Sequence, residues 1–250
     1  MAHRFRQRLR AGGLLVGTIV TLGSPEVAEI LTSVGFDWLF IDAEHGPFEA
    51  PEIQKVLQGA GSKMPCLVRV LASEEPSIKK ALDVGAAGII APMVNSHKQA
   101  KRVVRLSKYA PLGTRGVGLG RAQGYGLRFQ EYVDRANEDV AVVIQAEHIE
   151  AVENIEAIVQ VAGIDAVLVG PYDLSASLDR LGDVSHPDVV SAIEHVTEVC
   201  QGAGIPLGMF GVSAEAVRPY IERGYTLIVA GVDTMILGEA ASQLLARIKA

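Results

Sequence analysis

The chain has 250 residues, a net charge of −6 and two cysteines. With no basic stripe and no aromatic-rich basic segment, it is a poor match to a nucleic-acid-binding protein. No apolar run approaches the ~18 residues of a membrane span. The length suits a (β/α)8 barrel, read here as a single domain over 1–250.

The N-terminal stretch MAHRFRQRLRAGG is basic but lacks an apolar core. It reads as a short helix covering the bottom of a barrel and not as a secretory signal. Strand-like runs follow near 14–22, 36–43, 65–71, 87–94, 140–147, 165–170, 205–210 and 225–231, with helical patterns such as SPEVAEILTSVG and EPSIKKALDVG between them. Continuous apolar runs are what parallel strands buried on both faces look like. Eight strands, each followed by a helix, predict an α/β chain closed into a parallel TIM-type barrel. An open doubly wound sheet is the competing fold, but no G-x-G-x-x-G opens a helix after the first strand. The longest connection, 109–127, is rich in Gly and Arg and is expected on the active-site side after strand four. Cys66 and Cys200 lack metal-ligand spacing, and two lone thiols fit a reducing, cytoplasmic compartment.

Three strand-like runs end on ionisable residues. DWLFIDAEH ends on Glu44 and His45, VAVVIQAE on Glu147, and DAVLVGPYD on Asp173. The C-terminal ends of parallel strands are where ligands bind. Two carboxylates on adjacent strand ends suit a hard divalent cation such as Mg²⁺ or Mn²⁺. The bland alternatives are a helix N-cap for Asp173 and a rim salt bridge for Glu147. His45 is a candidate base, metal ligand or bystander, with base preferred. Arg69 sits inside the apolar strand PCLVRVL, where a guanidinium needs a partner. That partner is either a substrate oxygen or a structural carboxylate. Gln145 shares a strand face with Glu147, whereas His148 should face away. The remaining histidines, His3 among them, read as surface residues. No lysine falls at a strand's C-terminal end, which disfavours Schiff-base catalysis and gives the electrophilic role to a metal.

These residues resemble the HpcH/HpaI aldolase family of class II pyruvate aldolases. GFDWLFIDAEHGP, PCLVRV, KKALDVGAAGIIAPMV, GTRGVG, VIQAEHIEAVENIEAI, VGPYDLSASL and VAGVDTMIL carry the resemblance, in order along nearly the whole chain. It implies a divalent metal ion (Mg²⁺, Mn²⁺ or Co²⁺) held by Glu147 and Asp173. It also implies enolate stabilisation by Arg69, an active-site amide at Gln145, and a His45–Asp83 pair for proton transfer. Backbone from Gly170 through Tyr172 to Asp173 would help hold a pyruvate carboxylate. The implied assembly is a homo-hexamer, a dimer of trimers, whose last helix (about 234–248) is exchanged between subunits. The implied reaction cleaves a 4-hydroxy-2-oxo acid to pyruvate and an aldehyde.

Asp83 falls at the end of the helix after strand three, which runs away from the catalytic rim. It is therefore expected to reach a site across a subunit interface or to act through a relay. Tyr172 and His148 stand where family members carry small residues, and Met209 and Phe210 where smaller aliphatics are usual. These positions bear on the aldehyde pocket. Oxaloacetate decarboxylation, or cleavage of a malyl- or citramalyl-CoA thioester, is the enzymatic alternative. The arginines of 115–128 are then candidates for CoA phosphates. A non-catalytic barrel binding a small acid is the alternative of another class.

Overall fold

The computed structural model describes residues 4–249, so His3 lies outside the described residues. Eight parallel strands close in sequential order: β1 (Leu15–Val20), β2 (Trp38–Asp42), β3 (Cys66–Arg69), β4 (Gly88–Ala91), β5 (Ala141–Ala146), β6 (Ala166–Val169), β7 (Leu207–Gly211) and β8 (Leu227–Val232). All eight expected strands are present. Their inward side chains, including Trp38, Phe40, Leu67, Val143, Leu168 and Val229, fill the barrel interior. Their outward side chains form a second layer with the surrounding helices. This two-sided burial is why the strands read as apolar runs instead of alternating patterns.

Helix α1 (Phe5–Arg10) plugs the N-terminal end of the barrel, as its sequence suggests. Phe5 and Leu9 are buried, with the Phe5 ring 6.0 Å from that of Trp38. Arg6 Nε donates to both Asp165 oxygens at 2.8 Å, and its Nη1 reaches the Asn137 and Glu138 carbonyls at 3.0 Å. The other helices are α2 (Pro25–Val34), α3 (Ala50–Ala60), α4 (Glu75–Asp83), α5 (His97–Ser107), α6 (Phe129–Asp139), α7 (Ile149–Glu153), α8 (Ile155–Ile158), α9 (Pro171–Ser177), α10 (Pro187–Gly202), α11 (Ala214–Glu222) and α12 (Asp233–Lys249). Every residue of α12 from Thr234 to Lys249 is exposed, including Leu237, Leu244, Leu245 and Ile248. Among the described residues no helix is long and apolar enough to cross a membrane.

The 109–127 connection lies at the opposite end from the one expected. It follows α5, and α5 has already returned the chain to the N-terminal end of the strands. The loop packs there on the end of α4: Ala122 N–H donates to the Asp83 carbonyl at 3.0 Å, and Arg121 donates to the Val84 and Leu57 carbonyls at 3.0 and 3.3 Å. Arg115 is buried, with Nη2 2.9 Å from Asp83 Oδ1 and Nη1 3.0 Å from the Tyr132 hydroxyl. Arg115 and Arg121 therefore serve the fold and line no groove on the catalytic rim.

Candidate active site

Register places the first pair of site residues. Asp42 and Arg69 are Cα partners across β2 and β3, two residues beyond the interior pair Phe40 and Leu67. Both side chains turn inward because residues two apart share a strand face. Arg69 Nε donates to Asp42 Oδ1 at 2.9 Å and Nη2 to Oδ2 at 2.7 Å. Arg69 Nε also lies 3.3 Å from Glu44 Oε2, and its guanidinium stands 5.3 Å from the Phe40 ring centroid. Burial alone would raise the Asp42 carboxyl, but the Arg69 hydrogen bonds and charge outweigh it and hold the group down. Asp42 is thus the carboxylate that the buried arginine required.

Asp42 also shapes the turn after β2. Its Oδ1 accepts from the N–H groups of Glu44 (3.1 Å) and His45 (3.3 Å). This Asx-type turn orients both residues at the strand end. The His45 side chain is two-thirds exposed at the mouth, with Nε2 3.7 Å from Glu44 Oε2.

Glu147 follows β5 and is buried. Its Oε1 accepts from Met93 N–H at 2.8 Å, and Oε2 accepts from the Gln145 side-chain amide. Met93, in the turn after β4, has φ +53°, a left-handed conformation unusual outside glycine. Gly170 is needed for close approach: a Cβ there would lie 2.8 Å from Glu147 Cβ and 3.1 Å from its Oε2. Burial pushes the Glu147 carboxyl up to about 7. Glu44 and Asp173 add repulsion, while the Met93 N–H and Arg69 oppose the rise. Burial likewise raises Glu44, opposed by Arg69 and His45 and reinforced by Asp42 and Asp173.

Asp173 is the third residue of α9, whose N-cap position is Gly170, so Asp173 does not cap that helix. It lines a cavity of about 140 Å³ with His45, Arg69, Gln145, Gly170 and Tyr172. The C-terminal ends of β2, β3, β5 and β6 thus bring together His45, Arg69, Gln145, Glu147, Gly170, Tyr172 and Asp173. Asp83 is not among them. It sits at the far end of α4, paired with Arg115, because a helix after a parallel strand runs back toward the barrel bottom. Sequence reasoning missed Asp42 and the Met93 N–H. The inward parity of Asp42 beside Arg69 was a usable signal for the first; nothing in the sequence marks the second.

A larger cavity, about 610 Å³, lies at the other end beside Cys66, Arg121 and Tyr125, without converging carboxylates. The buried amine of Lys108 is at that end too. Burial pushes it down to about 8, but its Nζ donates to the Asn137 and Val140 carbonyls. His148 turns away from the site and caps α7, its Nδ1 accepting from Glu150 N–H at 3.2 Å.

The donor set fits a hard divalent cation. Among the described residues no three His, Cys, Asp or Glu side chains form a closed metal cage. An open site with two carboxylates is the usual form for Mg²⁺, which keeps other positions for water and substrate. The buried Glu147 carboxylate is repelled by the exposed Asp173, a repulsion that a cation offsets. The buried Gln145 Oε1 has no protein partner and adds an oxygen acceptor beside them.

Comparison with known proteins fits this geometry. Residues 16–240 match the family model described as HpcH/HpaI aldolase/citrate lyase. A hydroxypyruvate/pyruvate aldolase of Pseudomonas aeruginosa is 36% identical over 99% of this chain and 93% of its own length. A 4-hydroxy-2-oxovalerate aldolase of Rhodococcus jostii is 38% identical over 98% and 95%. The crystal structure of a family member from Burkholderia cenocepacia superposes with a TM-score of 0.95, at 37% identity over 99% of this chain and 100% of that one. The chain belongs to the HpcH/HpaI aldolase/citrate lyase family. It is a carbon–carbon lyase of the aldolase type.

Proposed function

We propose that the chain is a divalent-metal-dependent (Mg²⁺, Mn²⁺ or Co²⁺) class II aldolase that reversibly cleaves a 4-hydroxy-2-oxo acid to pyruvate and an aldehyde. The observation that carries this reading is the convergence of Arg69, Gln145 and Asp173 on one cavity at the C-terminal end of the barrel, with Glu147 bonded to Gln145. Glu147 and Asp173 would hold the metal, which when bound supplies Lewis-acid polarisation of the 2-oxo acid.

In cleavage, a base at the mouth takes the C4 hydroxyl proton, the C3–C4 electron pair moves onto the pyruvate fragment, and the aldehyde leaves. His45 is positioned for this work by the Asp42 turn. Arg69, locked in place by Asp42, offers a fixed positive charge to the enolate oxygen, so little reorganisation is needed as charge develops. Protonation at C3 completes pyruvate. Gly170 lets the Tyr172–Asp173 turn come close enough to border the substrate carboxylate.

Asp83 takes part only if a neighbouring copy presents it, since its own chain holds it at the opposite end. An oligomer with an exchanged C-terminal helix accounts for this. The exposed apolar residues of α12 support such an exchange, and a homo-hexamer built as a dimer of trimers is the assembly proposed. A cytoplasmic setting is consistent with the free, buried Cys66 and Cys200.

The test is pyruvate release from 4-hydroxy-2-oxo acids of graded length, with chelated and metal-restored protein. Release that needs both metal and Arg69 is expected. Release of equal rate from chelated protein would overturn the metal requirement.

A further inference from the structure

Among the described residues three non-glycine residues adopt a left-handed backbone: Met93, Tyr125 and Asp179. The N–H groups of Tyr125 and Asp179 donate to main-chain carbonyls a few residues back, at Gly120 and Ala176, as in ordinary turns. Met93 differs. Its N–H leaves the turn and donates at 2.8 Å to Oε1 of Glu147, 54 residues further along the chain. A left-handed backbone is costly for a residue with a Cβ, and persists only where the surroundings over-determine it.

This turn is held from both sides. The Pro92 carbonyl, the other end of the same peptide unit, accepts at 2.6 Å from the hydroxyl of Ser73, in the connection between β3 and α4. The next residue, Val94, is fully buried. The Asn95 N–H donates to Gln99 Oε1 at 2.8 Å, and its carbonyl accepts from Asn154 Nδ2 at 3.1 Å. The Met93 side chain itself is 45% exposed, so core packing does not explain the conformation. Its product is the grip on Glu147: the Met93 N–H holds one oxygen and the Gln145 amide the other. A carboxylate held at both oxygens cannot rotate without breaking a charge-assisted hydrogen bond. Hydrogen bonds at the two ends of one peptide polarise each other, so the Ser73 hydroxyl strengthens the Met93 contact.

Resting on the metal-dependent reading above, we propose that Met93 is a positioning residue: its left-handed backbone turns the Pro92–Met93 peptide so that the N–H fixes the Glu147 carboxylate for the cation, and Ser73 steadies that peptide from its far end.

The test is Mn²⁺ affinity of the full-length protein, read by electron paramagnetic resonance, in a series that varies backbone preference at one position. Met93→Gly and Met93→Asn accept the left-handed conformation, whereas the β-branched Met93→Ile resists it. The Gly and Asn variants are expected to stay within about twofold of the parent, and Met93→Ile to lose about fivefold or more. Ser73→Ala leaves the backbone preference alone and is expected to weaken binding by about two- to threefold. Urea denaturation of the metal-free proteins confirms folding and separates lost affinity from lost stability. Unchanged affinity in folded Met93→Ile would overturn the proposal. So would an equal loss in Met93→Gly, because the role would then belong to the side chain. Should Met93→Ile fail to fold, Ser73→Ala decides, and unchanged affinity there overturns the proposal. A parent protein that binds no Mn²⁺ would sink the metal-dependent reading and this inference with it. A parent that binds Mn²⁺ no better than folded Met93→Ile sinks this inference alone.

Discussion

Asp42 and Arg69 face each other across the β2–β3 pair and share two hydrogen bonds, 2.9 and 2.7 Å long, with both side chains nearly buried. The same Asp42 oxygen that binds Arg69 Nε receives the N–H groups of Glu44 and His45. One carboxylate therefore sets the orientation of the site's arginine and of its histidine-bearing turn.

Arg69→Ala is expected to abolish both pyruvate proton exchange and aldol cleavage. It also leaves Asp42 as an uncompensated buried charge, which costs about 3–5 kcal/mol of stability. Urea denaturation beside the two activity assays separates these effects. Arg69→Lys keeps the charge but not the two-pronged grip, and is expected to fold well with reduced kcat. Near-normal exchange in Arg69→Ala would contradict the assigned role.

Gly170→Ala is expected to damage the metal site without unfolding the barrel. The added methyl would sit 2.8 Å from Glu147 Cβ, so either the Glu147 carboxylate or the turn before α9 must shift. An overpacking cost of about 1–3 kcal/mol, expressed in binding, is a loss of metal affinity of roughly 5- to 150-fold. Titration with Mn²⁺ followed by electron paramagnetic resonance measures it. Unchanged affinity would show that the loop yields freely.

Much of this was legible in the sequence. The eight strands stood out because both their faces are buried, and Glu147 and Asp173 because they end such strands. Asp42 is less conspicuous because it belongs to the strand itself, whereas Glu44 and His45 stand at the end of the apolar run. The side of the 109–127 loop was misassigned because α5 intervenes between β4 and the loop and reverses the chain. The Met93 N–H contact depends on a left-handed backbone turn that no side chain announces.

Metal binding should be steeply pH-dependent through Glu147, whose carboxyl burial pushes up to about 7. Between the ordinary carboxylate range and pH 7 the folded metal-free protein holds a proton that the unfolded chain has lost. Its stability therefore falls as pH rises through that window, by an amount on the order of 3 kcal/mol for a shift of this size. A cation competes with that proton, so metal should raise the melting temperature more at pH 7.5 than at pH 5.5. Equal metal-induced shifts at the two pH values would count against Glu147 as a ligand.

Asp83 supports a complementation test. Asp83→Ala and His45→Ala proteins are each expected to lose most cleavage activity. If Asp83 serves a neighbour's site, unfolding and refolding the two together restores part of it, because some mixed sites carry both native residues. No recovery in confirmed mixed oligomers would confine Asp83 to its Arg115 pair at the barrel bottom.

The central claim is that this barrel end generates a pyruvate enolate. Proton exchange at the pyruvate methyl, followed by NMR in deuterated buffer, tests it most directly, first with chelated protein and then with Mg²⁺, Mn²⁺ or Co²⁺ restored. Exchange that appears only with metal, and disappears in Arg69→Ala, is the expected result. No exchange with any of the three metals, in protein shown to be folded, would contradict the account.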